Sequence, residues 1–132
     1  MSDQIAAVFD ASALTAYIEG NVSVGELMLE VADEGRQLAV PATCLAVAIA
    51  AVGDEVGTAL LALMMSTPVI RLLPLDADDV RDTGTLARAV DGDISLGHAA
   101  RAALSHEAHY ATARPKLAAK VLPTNWSILD LA

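Results

Sequence analysis

Five consecutive apolar residues, Ile5 to Phe9, run straight into a single carboxylate, Asp10. An unbroken apolar run with β-branched Ile5 and Val8 predicts a strand buried on both faces, as in the middle of a parallel sheet. Beyond Asp10 the period becomes helical. Residues 13–19 read as a short helix ended by Gly20, with Ser12 placed to cap it. Ser23-Val24-Gly25-Glu26 has the form of a capping box, with Val22 and Leu27 as its hydrophobic staple. The helix it opens turns Leu27 and Val31 inward and stops at Gly35. Residues 38–40, before Pro41, form a second strand. Thr43 then caps a helix over residues 44–52, apolar all round and so expected at the centre of the fold. Gly53 breaks it, and residues 54–66 form another helix with Leu60, Leu61, Leu63 and Met64 as its buried stripe. Residues 69–73 are the third strand. Asp76, with Asp79 three residues on, caps a helix that runs to Val90 and faces Val80, Ala87 and Val90 inward. A loop centred on Gly92 leads to an Ala-rich helix over residues 94–107, a fourth strand at His109–Thr112 and a short last strand at residues 127–131.

Strands alternating with helices predict an α/β fold with a parallel sheet of four or five strands covered on both faces, α/β/α in three layers. No internal repeat, linker or low-complexity tract divides the chain, so residues 1–132 read as one domain. In such sheets ligands collect at the carboxyl ends of the strands. Asp10 and the segment after Thr112 both lie at such ends.

Composition narrows the picture. The chain is 55% apolar but only 3% aromatic, so its core is built from Ala, Val, Leu, Ile and Met. The formal charge of −9 is a poor global field for attracting a polyanion. From Arg101 onward the balance is positive, with Arg101, Arg114, Lys116 and Lys120 against Glu107 and Asp130, and any nucleic-acid contact would have to use that last quarter. A single cysteine, Cys44, permits no intrachain disulfide and fits a reducing compartment; in its apolar run it reads as a buried structural thiol. The N-terminus carries no basic, cleavable leader, and the longest apolar run is well short of the roughly 20 residues that span a bilayer, so a soluble, cytoplasmic protein without membrane contact is expected.

Few residues carry candidate chemistry. Asp10 is either a metal ligand or the cap of the helix behind it. Asp93, preceded by Asp91 and followed by the Ala-rich helix, has the same two readings. His98, His106 and His109 are too scattered to form a zinc site, which needs three or four converging ligands. Trp126 reads as packed rather than as a stacking platform. A Gly-rich phosphate loop and a Gly-x-Ser-x-Gly elbow are both absent.

Three segments, in order, resemble the PIN-domain family, which includes the toxin ribonucleases of VapC-type toxin–antitoxin modules. Val8-Phe9-Asp10-Ala11-Ser12-Ala13-Leu14 resembles its opening motif. Leu38-Ala39-Val40-Pro41-Ala42-Thr43-Cys44-Leu45-Ala46 resembles its second strand and following helix. Asp93-Ile94-Ser95-Leu96-Gly97-His98-Ala99-Ala100 through Tyr110-Ala111-Thr112 resembles its late acid, helix and Thr-ended strand. The resemblance implies divalent-metal-dependent hydrolysis of RNA, with Mg²⁺ or Mn²⁺ held by converging carboxylates, a homodimer, and an antitoxin protein as partner. Mapped on this chain, Asp10 and Asp93 are the catalytic and metal-binding acids, in a pocket with Ser12, Val47, Asp91, Thr112 and Arg114.

Two positions depart from the family pattern. Val47 stands where the family places a Glu, and Arg114 where it places an Asp. Asp91, Asp93 and Ser95 all fall near the late acidic position. Val47 replaces a ligand with a methyl surface. Arg114 brings a positive charge to where a dication would sit, and at ~4 Å and a surface-like dielectric two unit charges interact by ~4 kcal/mol. Arg114 is therefore expected to bridge Asp10 or Asp93 in place of the metal. The expected function is a degraded toxin-lineage domain with weak or no nuclease activity, kept for binding or dimerisation. The alternative is an active endoribonuclease that uses Asp10, Asp93 and Asp91.

Overall fold

The structure, a computed structural model, describes residues 4–132. The strands β1 (Ile5–Phe9), β2 (Gln37–Pro41), β3 (Ile70–Leu73), β4 (His109–Thr112) and β5 (Ile128–Asp130) form one parallel sheet in the order β3-β2-β1-β4-β5. The apolar opening run is the middle strand, and all five of its residues are buried. Val8 lies level with Ala39 of β2 on one side and Tyr110 of β4 on the other. The chain builds outward from β1 through β2 to β3, then returns to the far side of β1 for β4 and β5. The crevice where the direction reverses lies between the ends of β1 and β4, which carry Asp10 and Thr112. That reversal is where an open α/β sheet leaves room for a ligand.

The connections are α1 (Ala11–Ile18), α2 (Val22–Asp33), α3 (Ala42–Val52), α4 (Glu55–Met65), α5 (Ala77–Ala87) and α6 (Ile94–His106), with a single turn, α7 (Pro115–Ala118), after β4. Their caps differ from expectation at several places. Asp10, not Ser12, caps α1, and its carboxylate accepts the Ala13 N–H. Asn21 replaces the expected capping box at Ser23, its side chain accepting the Val24 N–H, and Val22 lies 71% exposed rather than stapled. Pro41 precedes α3, so Thr43 sits inside the helix and its hydroxyl is free to meet His98 instead. The helix that reads apolar all round is not central either: Val47 and Ile49 face outward while Cys44 and Ala48 are buried. On α4 the inward stripe is Gly57, Leu61 and Met64, with Leu63 outside, and Val80 of α5 is exposed while Thr83 and Ala87 point in. α7 went unread in the sequence, although Pro115 at its first position is a start signal.

The most extensive helix contact is α5 against α6. Gly97 sits where an added Cβ would lie 2.3 Å from the Thr83 carbonyl oxygen and 3.2 Å from the Ala87 nitrogen. The glycine is what lets the two backbones meet. At the same crossing the Thr83 hydroxyl is buried with no hydrogen-bond partner among the described residues. Replacing it with an isosteric methyl removes a desolvated, unpaired group, so Thr83→Val is expected to leave stability unchanged or raise it by about 1 kcal/mol in urea unfolding.

Candidate functional site

The ends of β1 and β4 and the start of α6 enclose a cavity of about 100 Å³, lined by Asp10, Ala11, Ser12, Val47, Asp93, Ser95, Leu96, Arg114 and Leu117. Residues more than 100 positions apart in sequence thus share one small space. Asp10, Ser12, Val47, Asp93 and Arg114 come together there as mapped, and Thr112 lies directly behind Asp10. Asp91 does not line it. That residue occupies a left-handed turn (φ 56°) ahead of α6 and is exposed. Ser95 is buried and donates its hydroxyl to Asp93.

Asp10 is only 3% exposed, and both of its oxygens are fully used. Oδ1 accepts the Ala13 N–H (3.0 Å) and the Ser12 hydroxyl (2.6 Å). Oδ2 accepts the Thr112 hydroxyl (2.7 Å) and the Tyr110 phenol (3.0 Å). A second layer fixes the donors: the Ala113 N–H donates to Ser12 Oγ and the Arg114 N–H to Thr112 Oγ1. The arrangement ties the first helix to the fourth strand through one carboxylate. Asp93 is a simpler cap, accepting the Leu96 N–H (3.2 Å) and the Ser95 hydroxyl (2.7 Å) at the rim of the cavity.

Tyr110 is the site residue that the sequence reading missed. A signal existed, because strand alternation puts it on the same face as Thr112, two residues on. The pairing expected of Arg114 does not form. Its guanidinium makes no ion pair within 4.0 Å among the described residues, while Asp10 is satisfied by four other donors. Arg114 contributes its backbone N–H inside the network and its charge at the exposed rim.

Burial raises the Tyr110 phenol well above its ordinary range, and the adjacent Asp10 charge pushes it further. Burial likewise pushes the Cys44 thiol up, again with Asp10 adding to the effect, and its S–H points at the Ser95 carbonyl. Both groups hold their protons more tightly folded than unfolded. Their contribution to stability is therefore complete below the unfolded values and is lost as pH rises past roughly 8.5 for the thiol and roughly 10 for the phenol. Urea unfolding followed between pH 7 and 11 is expected to show falling stability over that range, with Cys44→Ala removing the earlier part of the fall. Below pH 8, Cys44 is expected to react with a thiol reagent only at the rate of unfolding.

His98 lies at a separate place, its Nδ1 2.8 Å from the Thr43 hydroxyl. Burial lowers its pKa, against the opposing pull of the Pro74 carbonyl and the Asp79 and Asp76 charges. It borders a cleft of about 370 Å³ that also holds Arg71, Asp76, Asp79 and Arg101. Arg101 pairs with Asp79 (3.1 Å) of that cleft and with Asp82 (3.7 Å).

A magnesium ion at the strand ends would keep several of its waters and need one or two carboxylates with open lone pairs. Of the cavity's carboxylate oxygens, only Asp93 Oδ2 receives no hydrogen bond from the described residues. Asp10 has no unoccupied lone pair, Val47 offers none, and Arg114 brings a cation to the rim. Among the described residues no three His, Cys, Asp or Glu side chains are grouped to hold a metal ion. No helix among them is long and apolar enough to cross a membrane.

No family model matches the chain, and no curated protein does. Among solved structures, it is similar to a chain in the crystal structure of VapBC2 from Rickettsia felis bound to a DNA fragment from their promoter. The TM-score is 0.71 at 15% identity, over 96% of this chain and 98% of that one. At that identity the likeness is one of fold, and it runs the length of both chains: the five-stranded parallel sheet and its helices make a PIN-like fold.

Proposed function

We propose that this chain is a PIN-like protein of the toxin-ribonuclease lineage whose acidic metal site is degraded, with weak or no nuclease activity, and that it is kept for binding a second copy of itself and an antitoxin-type protein. The observation that carries the reading is the state of Asp10. The one acid at the head of the site is consumed by four donors, and its cavity neighbours include a valine and an arginine but only one other acid. Nucleophile activation and charge neutralisation at a phosphate both require a metal held at that place, and the donors to hold it are missing. An active Mg²⁺- or Mn²⁺-dependent enzyme using Asp10, Asp93 and Asp91 is disfavoured by the position of Asp91 outside the cavity.

Binding is supported by surface chemistry. Val22 and Leu29 of α2, Val47 and Ile49 of α3, and Val56 and Leu63 of α4 are all substantially exposed. Large apolar side chains on three successive helices suit a protein partner better than a polyanion, as does the net charge of −9. The solved neighbour comes from a VapBC pair on promoter DNA. In a pair of that kind, an acidic chain such as this one would leave the DNA contact to its partner.

The test uses purified protein, mixed RNA and Mn²⁺, with and without chelator. The expected result is intact RNA in every arm. Chelator-sensitive cleavage that disappears in Asp93→Ala would overturn the proposal. Asp93 is the better control because its loss costs a rim cap, whereas Asp10→Ala strips the centre of the fold. Light scattering of the same sample is expected to give the mass of two copies, and a monomer at all concentrations would end the dimer part of the reading.

A further inference from the structure

We propose that the cleft of about 370 Å³ between β3 and the α5–α6 pair is a binding site for a small zwitterion, a molecule carrying a carboxylate and an amino group, such as a free amino acid. The cleft shares no lining residue with the strand-end cavity, so the proposal does not depend on whether a metal is held there.

Small-molecule sites occupy roughly 300–1,000 Å³, which admits this cleft and leaves out the strand-end cavity of about 100 Å³. Four parts of the fold build its walls. Arg71 comes from β3, Asp76 from the turn into α5, Asp79 from α5, and His98 and Arg101 from α6. The α6 wall is fixed from behind. His98 is only 3% exposed and its Nδ1 meets the Thr43 hydroxyl, while Arg101 donates its Nε–H to Asp79 Oδ1 at 3.1 Å.

Charge selects the ligand. With histidines neutral, two arginines and two aspartates leave the cleft with no net charge, in a chain of −9. Pairing within the chain uses only part of this set. Arg101 is committed to Asp79 and, beyond the cleft, to Asp82. The Arg71 guanidinium makes no hydrogen bond or ion pair among the described residues. The Asp76 carboxylate does not cap α5 and forms no ion pair within 4.0 Å among them. One free charge of each sign therefore borders the same space, and the two do not meet. An anion alone would face Asp76, Asp79 and the negative field of the whole chain, and a cation alone would face Arg71 and Arg101. An uncharged ligand would displace water from both free charges and replace none of its hydrogen bonds. A zwitterion satisfies both, its carboxylate taken bidentately by Arg71 and its ammonium by Asp76.

The test is titration calorimetry of the full chain at neutral pH with glycine, β-alanine, γ-aminobutyrate and ε-aminocaproate, a ladder of increasing charge separation. Hexanoate and hexylamine, with one charge each, are the controls. At least one amino acid of the ladder is expected to bind about tenfold or more tightly than both controls. Arg71→Gln and Asp76→Asn, both at exposed positions, are expected to keep the thermal midpoint and each to weaken that binding about tenfold. Absence of saturable binding across the ladder would overturn the proposal. So would equal affinity for hexanoate or hexylamine, or binding that neither substitution weakens.

Discussion

Asp10→Ala is expected to remove about 4 kcal/mol of folding stability, while Asp93→Ala removes about 1 kcal/mol. Both residues cap helices, and at the level of sequence they look alike: an acid, two residues, and an apolar helical run. The difference is what else each carboxylate does. Asp93 satisfies one backbone N–H and one serine at the rim, so its removal costs an ordinary cap. Asp10 satisfies a cap, two hydroxyls and a buried phenol. Of the donors it would abandon, one of the Ser12 and Thr112 hydroxyls can turn to the other, which saves part of the loss. The Ala13 N–H and the Tyr110 hydroxyl cannot, and they account for roughly 1 and 2 kcal/mol; the remainder is the loss of two charge-assisted bonds. Asp10→Asn is expected to be nearly as costly, because the amide nitrogen would point a donor at donors. Equilibrium urea unfolding of the three variants checks the order. Equal costs for Asp10→Ala and Asp93→Ala would mean that the network around Asp10 contributes nothing beyond the cap.

The second large effect is at the α5–α6 crossing. Gly97→Ala swaps the poorer helix former for the best, a gain of about 1 kcal/mol if nothing touched the new methyl. Its Cβ would, however, stand 2.3 Å from the Thr83 carbonyl oxygen and 3.1 Å from the Ala87 Cβ. A backbone carbonyl inside a helix cannot step aside, so the two helices must separate. That overpacking costs about 3 kcal/mol, and the net expectation is a loss of about 2 kcal/mol. For a chain of this length the midpoint of thermal unfolding is expected to fall by about 8 °C. Gly25→Ala is the control: an added Cβ there meets nothing within 4 Å, so propensity alone acts and stability is expected to rise. A thermal scan of both variants that showed the same direction of change would remove the contact argument.

Much of the fold was legible in the chain. The limits of β1 and β4 coincide with the sequence reading; for β1, five apolar residues bounded by an acid leave little choice of boundary. The misreadings share a cause. Ser12, Ser23 and Thr43 read as caps from the sequence, and in each case the capping position lies two residues earlier, at Asp10, Asn21 and Pro41. Cap chemistry is similar among Ser, Thr, Asp and Asn, and Pro41 makes no side-chain cap bond at all; the choice turns on which backbone is already extended when the helix begins. α3 was read as central because it is apolar on every face. Its outward face instead holds Val47 and Ile49 at the surface, and no periodicity can reveal whether such a face meets this chain or another.

The sequence by itself determined the alternation of elements, the parallel sheet, and the two acids that head helices at its carboxyl end. It also placed a valine and an arginine at the two positions where the resemblance called for acids. Only the tertiary structure decided what Asp10 is. Tyr110 and Thr112 are 100 and 102 residues away from it, and nothing local announces that their hydroxyls end on its oxygens. A carboxylate's role depends on how many of its lone pairs remain open, and that count is fixed by donors that arrive from a neighbouring strand once the sheet has formed.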